Sequence, residues 1–209
     1  MPSALLRLRS DEQLVAAFRD GRDDAFELIA ERYRDRLVAY ASQMLRARGQ
    51  GASEDVVQDV FIRAYRALRA DSRPMALRAW LYRIAHNRCL DELRAERPTS
   101  EFDEEIAPPA PMATADPVVA AGRRERLREL VVDIQGLPPQ QRSALVIREL
   151  TGLPYAELAE ALDTTVPAVK SLLVRARMNL AAAAEARDEA FAAQPVESAR
   201  LTSVAIASA

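Results

Sequence analysis

Residues 155–170 read YAELAEALDTTVPAVK, which is the spacing of a short helix, a tight turn and the beginning of a second helix. Ala159 is small where two crossing helices must touch, and Thr165 can cap the second helix after a turn at Asp163. A helix-turn-helix of this kind places its second helix in the major groove of DNA. A helical hairpin with a solvated face would have the same spacing, so the pattern alone leaves both interpretations open.

The second helix of this stretch has two different faces. One face is apolar and predicts contact with a core. The opposite face carries two cations, a hydroxyl group and apolar side chains, which suit phosphates and base edges. The apolar face is formed by Val169, Leu172, Leu173, Ala176 and Leu180, and the candidate DNA-contacting residues are Thr165, Lys170, Ser171, Val174 and Arg175, with Met178 beside them.

Helical periodicity also fills residues 10–97, where it predicts four helices. Ser10 and Gln13 have the spacing of a capping box, and Ser53 is a predicted N-cap of the third helix. The predicted buried side chains are Phe26, Ile29, Tyr33, Leu37, Tyr40 and Met44 in the second helix, Val57, Val60, Phe61, Ala64, Tyr65 and Leu68 in the third, and Leu77, Leu81, Ile84 and either Cys89 or Leu93 in the fourth.

A proline-rich acidic segment follows these helices. Residues 98–121 hold five prolines, five acidic residues and no basic residue, which predicts a flexible linker. Residues 122–184 form a second helical domain that contains the helix-turn-helix, and residues 185–209 are expected to be a tail. The sequence therefore predicts an all-α protein with two small helical domains. The residues that mark the first helix of the second domain are Leu127, Leu130, Val131 and Ile134, and Pro138 and Pro139 begin its next helix.

Composition limits the chemistry of the chain. Cys89 and His86 are its only cysteine and histidine, which argues against a disulfide framework and a Cys/His metal site. No glycine-rich phosphate loop or nucleophile–base set is visible, so we expect no catalytic residue, no cofactor and no metal. No apolar run approaches the ~18 residues of a membrane span and no signal-peptide pattern is present, so we expect a cytoplasmic protein without membrane insertion.

Charge is distributed unevenly around a net value of −2. Residues 1–97 carry 18 basic and 15 acidic side chains, and residues 122–182 carry nine basic and seven acidic ones. Two mildly basic blocks therefore flank the acidic segment. Neither surplus is large enough for tight DNA binding through phosphates alone.

Two parts of the chain resemble a known family. Residues 55–65 (DVVQDVFIRAY) and 80–94 (WLYRIAHNRCLDELR) resemble region 2 of extracytoplasmic-function (ECF) sigma factors of the sigma-70 superfamily. Residues 137–155, which begin LPPQQR, and residues 169–177 (VKSLLVRAR) resemble region 4. The order of the motifs and the acidic segment between them also match, and the resemblance covers roughly residues 10–182.

The resemblance implies roles for these residues. Residues 10–97 would dock on the β′ clamp helices of core RNA polymerase and recognise and melt the −10 element, and residues 122–184 would contact the β flap and recognise the −35 element. The implied docking residues are Asp55, Gln58, Asp59 and Phe61, and the implied −10 residues are Trp80, Arg83, Asn87 and Arg94. The loop over residues 70–76 would hold a flipped base.

Three of these interpretations keep an alternative. Trp80 would either stack on an unpaired base or anchor its helix in the core. Asp55 would either meet a basic partner surface or be a solvated acidic residue near a helix start. His86 is expected to be exposed, facing DNA or solvent. Cys89 is expected to be a small buried hydrophobic residue rather than a redox sensor.

The function implied by the resemblance is that of a sigma factor, which catalyses nothing itself. Its partners would be core RNA polymerase, promoter DNA and an anti-sigma factor. A stand-alone helix-turn-helix regulator is the alternative, and it would bind DNA tightly without polymerase. An enzyme and a helical interaction module without a DNA role are the remaining classes, and the pair of motifs argues against both.

Overall fold

The computed structural model describes residues 4–46, 49–71, 73–95 and 117–192, and the regular elements within these ranges are all α-helices. This confirms the all-α fold class. The helices are α1 (Ala4–Arg7), α2 (Asp11–Arg19), α3 (Asp23–Met44), α4 (Gly49–Ala70), α5 (Leu77–Arg94), α6 (Pro117–Gly136), α7 (Pro139–Thr151), α8 (Tyr155–Ala161) and α9 (Val166–Ala192).

Helix α3 is the centre of the first domain and packs against α2, α4 and α5. The capping box at the start of α2 is confirmed, because the Gln13 amide donates to Ser10 Oγ at 3.4 Å and the Ser10 amide donates to Gln13 Oε1 at 3.1 Å. Helix α4 begins at Gly49, so Ser53 lies inside the helix and the predicted N-cap is wrong. The small side chain of Ser53 is enclosed on the packed face instead.

Aromatic rings join α2, α3 and α4. The ring centroid of Phe26 lies 5.1 Å from that of Phe18 and 5.1 Å from that of Tyr65, and 6.4 Å from that of Phe61. The Arg69 guanidinium lies over the rings of both Phe18 and Tyr65. Tilted and edge-to-face pairs of this kind stabilise a packing angle as well as a core. They therefore fix the direction in which α4 presents its outer face.

The second domain consists of α6 to α9. Helix α7 begins at Pro139, as predicted, and ends at Thr151, just before Gly152, whose φ of 65° is the left-handed conformation that favours glycine at this position. The predicted apolar face of α9 packs on α7 and α8, with Val169, Leu173 and Ala176 buried.

Two helix boundaries differ from the expectation. Helix α6 begins at Pro117, inside the segment predicted to be a linker, because a proline at the first position starts a helix well and Gly122 does not interrupt it. Helix α9 continues to Ala192, beyond the predicted start of the tail. Arg187 holds this extension by pairing with Asp133 of α6 at 2.8 Å. The alanine-rich sequence also has a high helix propensity.

The two domains pack against each other. Helix α5 lies along α8, and α3 lies against α7, so one continuous core runs through both domains. This contact between the domains was not predicted from the composition of the linker. Residues 98–116 of the predicted linker lie outside the described residues.

Candidate nucleic-acid interface

The helix-turn-helix is formed by α8, a turn and the start of α9. Ala159 is buried where the helices meet, as the spacing predicted. Asp163 adopts a φ of 49°, which reverses the chain in the turn. The Ala168 amide donates to Thr165 Oγ1 at 3.4 Å, so Thr165 caps α9 and its side chain is engaged at the helix start.

The outer face of α9 is exposed and opposite the buried stripe. Lys170 and Ser171 lie in its first turns, Val174 is 55% exposed, and Arg175 donates to Ser171 Oγ at 2.9 Å. Met178 extends the same face and is 65% exposed. The structure therefore brings the predicted −35 residues together on one surface, where cations and apolar groups alternate.

Tyr155, at the beginning of α8, lies between two cations. Arg148 is 5.1 Å and Lys170 is 5.8 Å from its ring centroid. Arg148 also donates to the carbonyl groups of Gly152 and Leu153, which fixes the loop before α8. The contact with Tyr155 restrains Lys170 toward the start of α8, so positive charge lies at the junction of α8 and α9.

Helix α5 carries the predicted −10 residues. Arg83, Asn87 and Arg94 are exposed and lie on one face, as their spacing predicted. Trp80 is half-buried and packs against the core, and it also lines a surface cavity. One side of the Trp80 ring is therefore anchored in the core, and the other side borders open space, where stacking on a base stays a prediction.

The segment before α5 is held by short-range charge pairs. Asp71 accepts from the Arg73 amide at 2.9 Å and from Arg73 Nε at 2.8 Å, and these bonds lower the pKa of Asp71 to about 2. Arg19 donates to the Arg73 carbonyl at 3.0 Å from α2. The backbone that approaches α5 is thus tied to the first domain.

A groove of about 630 Å³ follows the outer face of α4. Asp55 and Gln58 are exposed there, and half-buried Phe61 forms part of its apolar lining. Asp59 has another environment: its Oδ2 lies 2.9 Å from Arg63 Nε and 2.6 Å from Nε of Arg88 on α5. The contact to Arg88 is an ion pair rather than an aligned hydrogen bond. Three of the four predicted docking residues therefore share the groove, and Asp59 joins two helices.

His86 is not exposed, so the expectation that it faces DNA or solvent is wrong. It is only 4% exposed, and its Nδ1 lies 2.8 Å from Ser143 Oγ of α7. Burial, with a contribution from Arg94, lowers the pKa of His86 to about 4. The physical reason is its position on the side of α5 that faces the second domain. Cys89 is buried as predicted, and burial raises the pKa of its thiol to about 12.

Sequence reasoning also missed the contacts of Arg142. This side chain is 9% exposed and donates to the carbonyl groups of Met44, Gln135 and Leu137. Burial lowers the pKa of Arg142, although it remains a cation. Its place in the LPPQQR motif gave no sign that it would reach α3, because the motif is local and the contact is long-range.

Other kinds of site are not evident in the part of the chain that the structure describes. No group of three His, Cys, Asp or Glu side chains there is arranged as metal ligands would be. Among the helices described, none combines the length and the apolar character that a membrane crossing requires.

Comparison with protein families assigns both domains. The sigma-70 region 2 model matches residues 29–99, and the sigma-70 region 4 model matches residues 127–180. The matched ranges contain the groove along α4, the exposed face of α5 and the helix-turn-helix. The geometry described above and the family models therefore fall on the same two parts of the chain.

Curated relatives agree. The chain is 34% identical over 185 residues to the ECF RNA polymerase sigma-E factor of Escherichia coli (strain K12), covering 80% of this chain and 91% of that protein. It is 35% identical over 183 residues to the ECF RNA polymerase sigma factor SigG of Mycobacterium tuberculosis (strain ATCC 25618 / H37Rv), covering 77% of this chain. The chain spans about half the length of SigG, because the match covers 49% of that protein.

Solved structures share the fold. CnrH, solved in complex with the cytosolic domain of CnrY, is 27% identical with a TM-score of 0.62, and the match covers 84% of this chain and 97% of CnrH. The sigma factor RpoE from Bartonella quintana, solved with the anti-sigma factor NepR, is 20% identical with a TM-score of 0.58, covering 77% of this chain and 96% of RpoE. The chain therefore belongs to the ECF family of RNA polymerase sigma factors.

Proposed function

We propose that this chain binds core RNA polymerase and directs it to promoters by recognising −35 and −10 elements and helping to open the DNA. The observation that carries the proposal is the presence of two exposed polar faces, one on α5 and one on α9, in a chain that matches region 2 and region 4. It acts in the cytoplasm and performs no catalytic step of its own.

The proposed −35 surface is the outer face of α9. Lys170 and Arg175 supply charge for phosphates or base edges, and Ser171 supplies a hydroxyl group. Val174 offers an apolar surface for a thymine methyl group. Thr165 acts at the helix start, where its bond to the Ala168 amide orients the first turn.

The proposed −10 surface is the exposed side of α5. Asn87 presents a side-chain amide for a base edge, and Arg83 and Arg94 present cations on the same face. Trp80 offers the free side of its ring to an unpaired base. Pro74, Met75 and Ala76 line the same cavity as Trp80, and the loop over residues 70–76 would hold a flipped base there.

The proposed polymerase-docking surface is the groove along α4. Asp55 and Gln58 present polar groups at its edge, while Phe61 supplies an apolar contact. A mixed surface of this kind suits partner helices with basic and apolar residues, such as the β′ clamp helices. Asp59 contributes by holding α4 against α5. The β flap would meet the second domain.

An anti-sigma factor is a further proposed partner. CnrH was solved with the cytosolic domain of CnrY, and Bartonella RpoE was solved with the anti-sigma factor NepR. Such a protein would compete with core polymerase for binding to this chain.

Run-off transcription tests the proposed function. Purified core polymerase is supplied with DNA from upstream of the gene for this chain, with and without the protein. We expect a discrete transcript only when both are present. A transcript of equal intensity without the chain, or none with it on any promoter fragment from the same genome, would reject the proposal.

A further inference from the structure

The segment between α4 and α5 forms one wall of the cavity beside Trp80. Pro74, Met75 and Ala76 line this cavity together with Trp80 and Arg83 of α5. The three loop residues lie outside regular secondary structure, so no helix of their own holds their backbone. The position of this backbone sets the width of the space beside the ring. Whatever fixes the loop therefore fixes the shape of the cavity.

Arg19, the last residue of α2, reaches this segment from 54 residues earlier in the chain. Its Nη2 donates to the Arg73 carbonyl oxygen at 3.0 Å, and its Nε donates to the Leu68 carbonyl oxygen at 3.4 Å. Leu68 lies in the last turn of α4, where carbonyl groups lack partners within the helix. One guanidinium therefore holds the end of α4 and the beginning of the cavity wall at the same time.

The helix that carries Arg19 is itself anchored. Phe18, the preceding residue, is 1% exposed, and its ring centroid lies 5.1 Å from those of Phe26 on α3 and Tyr65 on α4. Leu14, one turn earlier on α2, is fully buried. Arg19 is half-buried beside this cluster, and hydrogen bonds from a charged donor are stronger than those between neutral groups. The guanidinium thus acts on the loop from a fixed position.

Arg73 has both of its backbone polar groups engaged. Its carbonyl group accepts from Arg19, and its amide donates to Asp71 Oδ1 at 2.9 Å. Pro74 follows, and the proline ring fixes its own φ and restricts the conformations of the residue before it. The chain therefore enters the cavity wall with few free torsions.

We propose that Arg19 is a positioning residue for promoter opening, which holds residues 74–76 beside Trp80 through the Leu68 and Arg73 carbonyl groups and so preforms the cavity for an extruded base. The proposal rests on the proposed function. Extruding a base from the duplex costs free energy, and ordering a loop at the same moment would add to that cost. A loop that is ordered beforehand avoids the second cost. Arg19 needs no contact with DNA or polymerase for this role.

Three variants separate the positioning role from a general effect of charge. Arg19→Gln removes the guanidinium, and Arg19→Lys keeps the charge but replaces the planar fork with a single ammonium group. Arg22→Gln is the matched control, because Arg22 lies in the turn after the same helix and its side chain bonds to Asp24, two residues away. Far-UV circular dichroism verifies that the helices remain in each variant.

Fluorescence of Trp80 measures the loop in the free full-length chain. Trp80 is the only tryptophan of the chain, so its emission reports on the cavity without a label. We expect Arg19→Gln to raise the acrylamide quenching constant and shift the emission to the red, because a released loop admits water and quencher. Arg22→Gln should match the parent. Parental quenching in a folded Arg19→Gln chain would overturn the proposal. No polymerase is needed, so this outcome is independent of the run-off experiment that tests the proposed function.

A scan with abasic sites tests the cavity in holoenzyme. Each −10 base of one strand is removed in turn, and the rate of open-complex formation is divided by the rate on intact promoter, which cancels any loss of folded protein. In the parent we expect a large decrease at the position whose base is extruded. In Arg19→Gln this decrease should be roughly tenfold smaller, because both hydrogen bonds to the loop are lost, and Arg19→Lys should lie between the two. A parental decrease in Arg19→Gln, or an equal change at every position, would contradict the positioning role.

Discussion

The Ser143 hydroxyl oxygen lies 2.8 Å from Nδ1 of His86, with both side chains buried between α7 and α5. The only histidine of the chain therefore belongs to the contact between the domains rather than to an outer surface. Its neutral form fits this contact, because burial disfavours the charged imidazolium. Protonation of the ring would place a charge in the core, where water cannot solvate it.

Acid should therefore weaken the folded chain. Burial lowers the pKa of His86 from 6.5 to about 4. Because the folded pKa lies below the unfolded value, the stabilisation is complete above pH 6.5 and is lost as the pH falls toward 4, by on the order of 3 kcal/mol. Urea unfolding from about pH 7.5 to about pH 4.5 measures this loss.

The control for this titration is His86→Gln, whose side-chain amide can still form hydrogen bonds but does not gain a proton in this pH range. Arg94 on the same helix lowers the pKa of His86 further, and Asp163 from the turn after α8 opposes it. Burial raises the pKa of Tyr40 well above 10, so its hydroxyl group stays protonated throughout. An identical pH dependence in the parent and His86→Gln would show that His86 does not titrate with unfolding.

Asp55 and Asp59 should respond differently to the same change. Asp59→Asn removes the charge that pairs with Arg88, so we expect a loss of about 1 kcal/mol in the free energy of unfolding. Asp55→Asn should change the free energy of unfolding by less than about 0.5 kcal/mol but weaken binding to core polymerase, because Asp55 is exposed in the groove. Urea titration and fluorescence anisotropy with labelled chain measure the two effects. Equal losses of stability in both variants would argue against this division of roles.

Lys170→Ala and Arg175→Ala should weaken binding of holoenzyme to promoter DNA without destabilising the chain. Each phosphate contact that is lost should reduce the slope of log affinity against log salt by about 0.9. Arg126→Ala, an exposed arginine of α6, is the charge-matched control. Leu173→Ala, at a buried position, should instead cost about 2–5 kcal/mol of stability. If neither α9 substitution lowers promoter affinity, the −35 surface lies on another part of the chain.

The acidic segment between the domains should affect initiation rather than binding. By family resemblance it would thread through polymerase toward the RNA path, where its charge has the same sign as a nucleic-acid strand. Replacing its five acids with serine should alter the ratio of abortive to full-length RNA at constant promoter affinity. An unchanged ratio would make the segment a passive tether. The substituted residues, which lie outside the described part of the chain, are Glu101, Asp103, Glu104 and Glu105 with Asp116.

Periodicity predicted helix faces well, because spacing of three and four residues fixes a face before any tertiary contact is known. Tyr33 and Leu37 are buried, and Lys170 faces outward, as expected. Leu127 and Leu130 follow the same period but are 46% and 45% exposed. Periodicity defines the apolar side of α6, and it does not say whether a neighbouring helix covers that side.

The contact between the domains could not be predicted in this way. Ser143 and His86 are 57 residues apart, and a polar residue on a helix gives no signal of its partner. The flexible composition of the linker also favoured separate domains. Asp59 illustrates the same limit within one domain, since its contact with Arg88 depends on how α4 and α5 pack.

A permanganate footprint with a parallel gel shift, with and without core polymerase, measures whether the chain binds and opens promoters only as part of the holoenzyme. The small positive surplus of each domain makes phosphate attraction weak, and the free chain has few groups to offset the cost of melting. We expect weak, poorly specific binding by the isolated chain. With core polymerase we expect tight promoter binding and reactive thymines at −10. Tight sequence-specific binding by the isolated chain, with no opening when polymerase is added, would contradict the account and favour a stand-alone regulator.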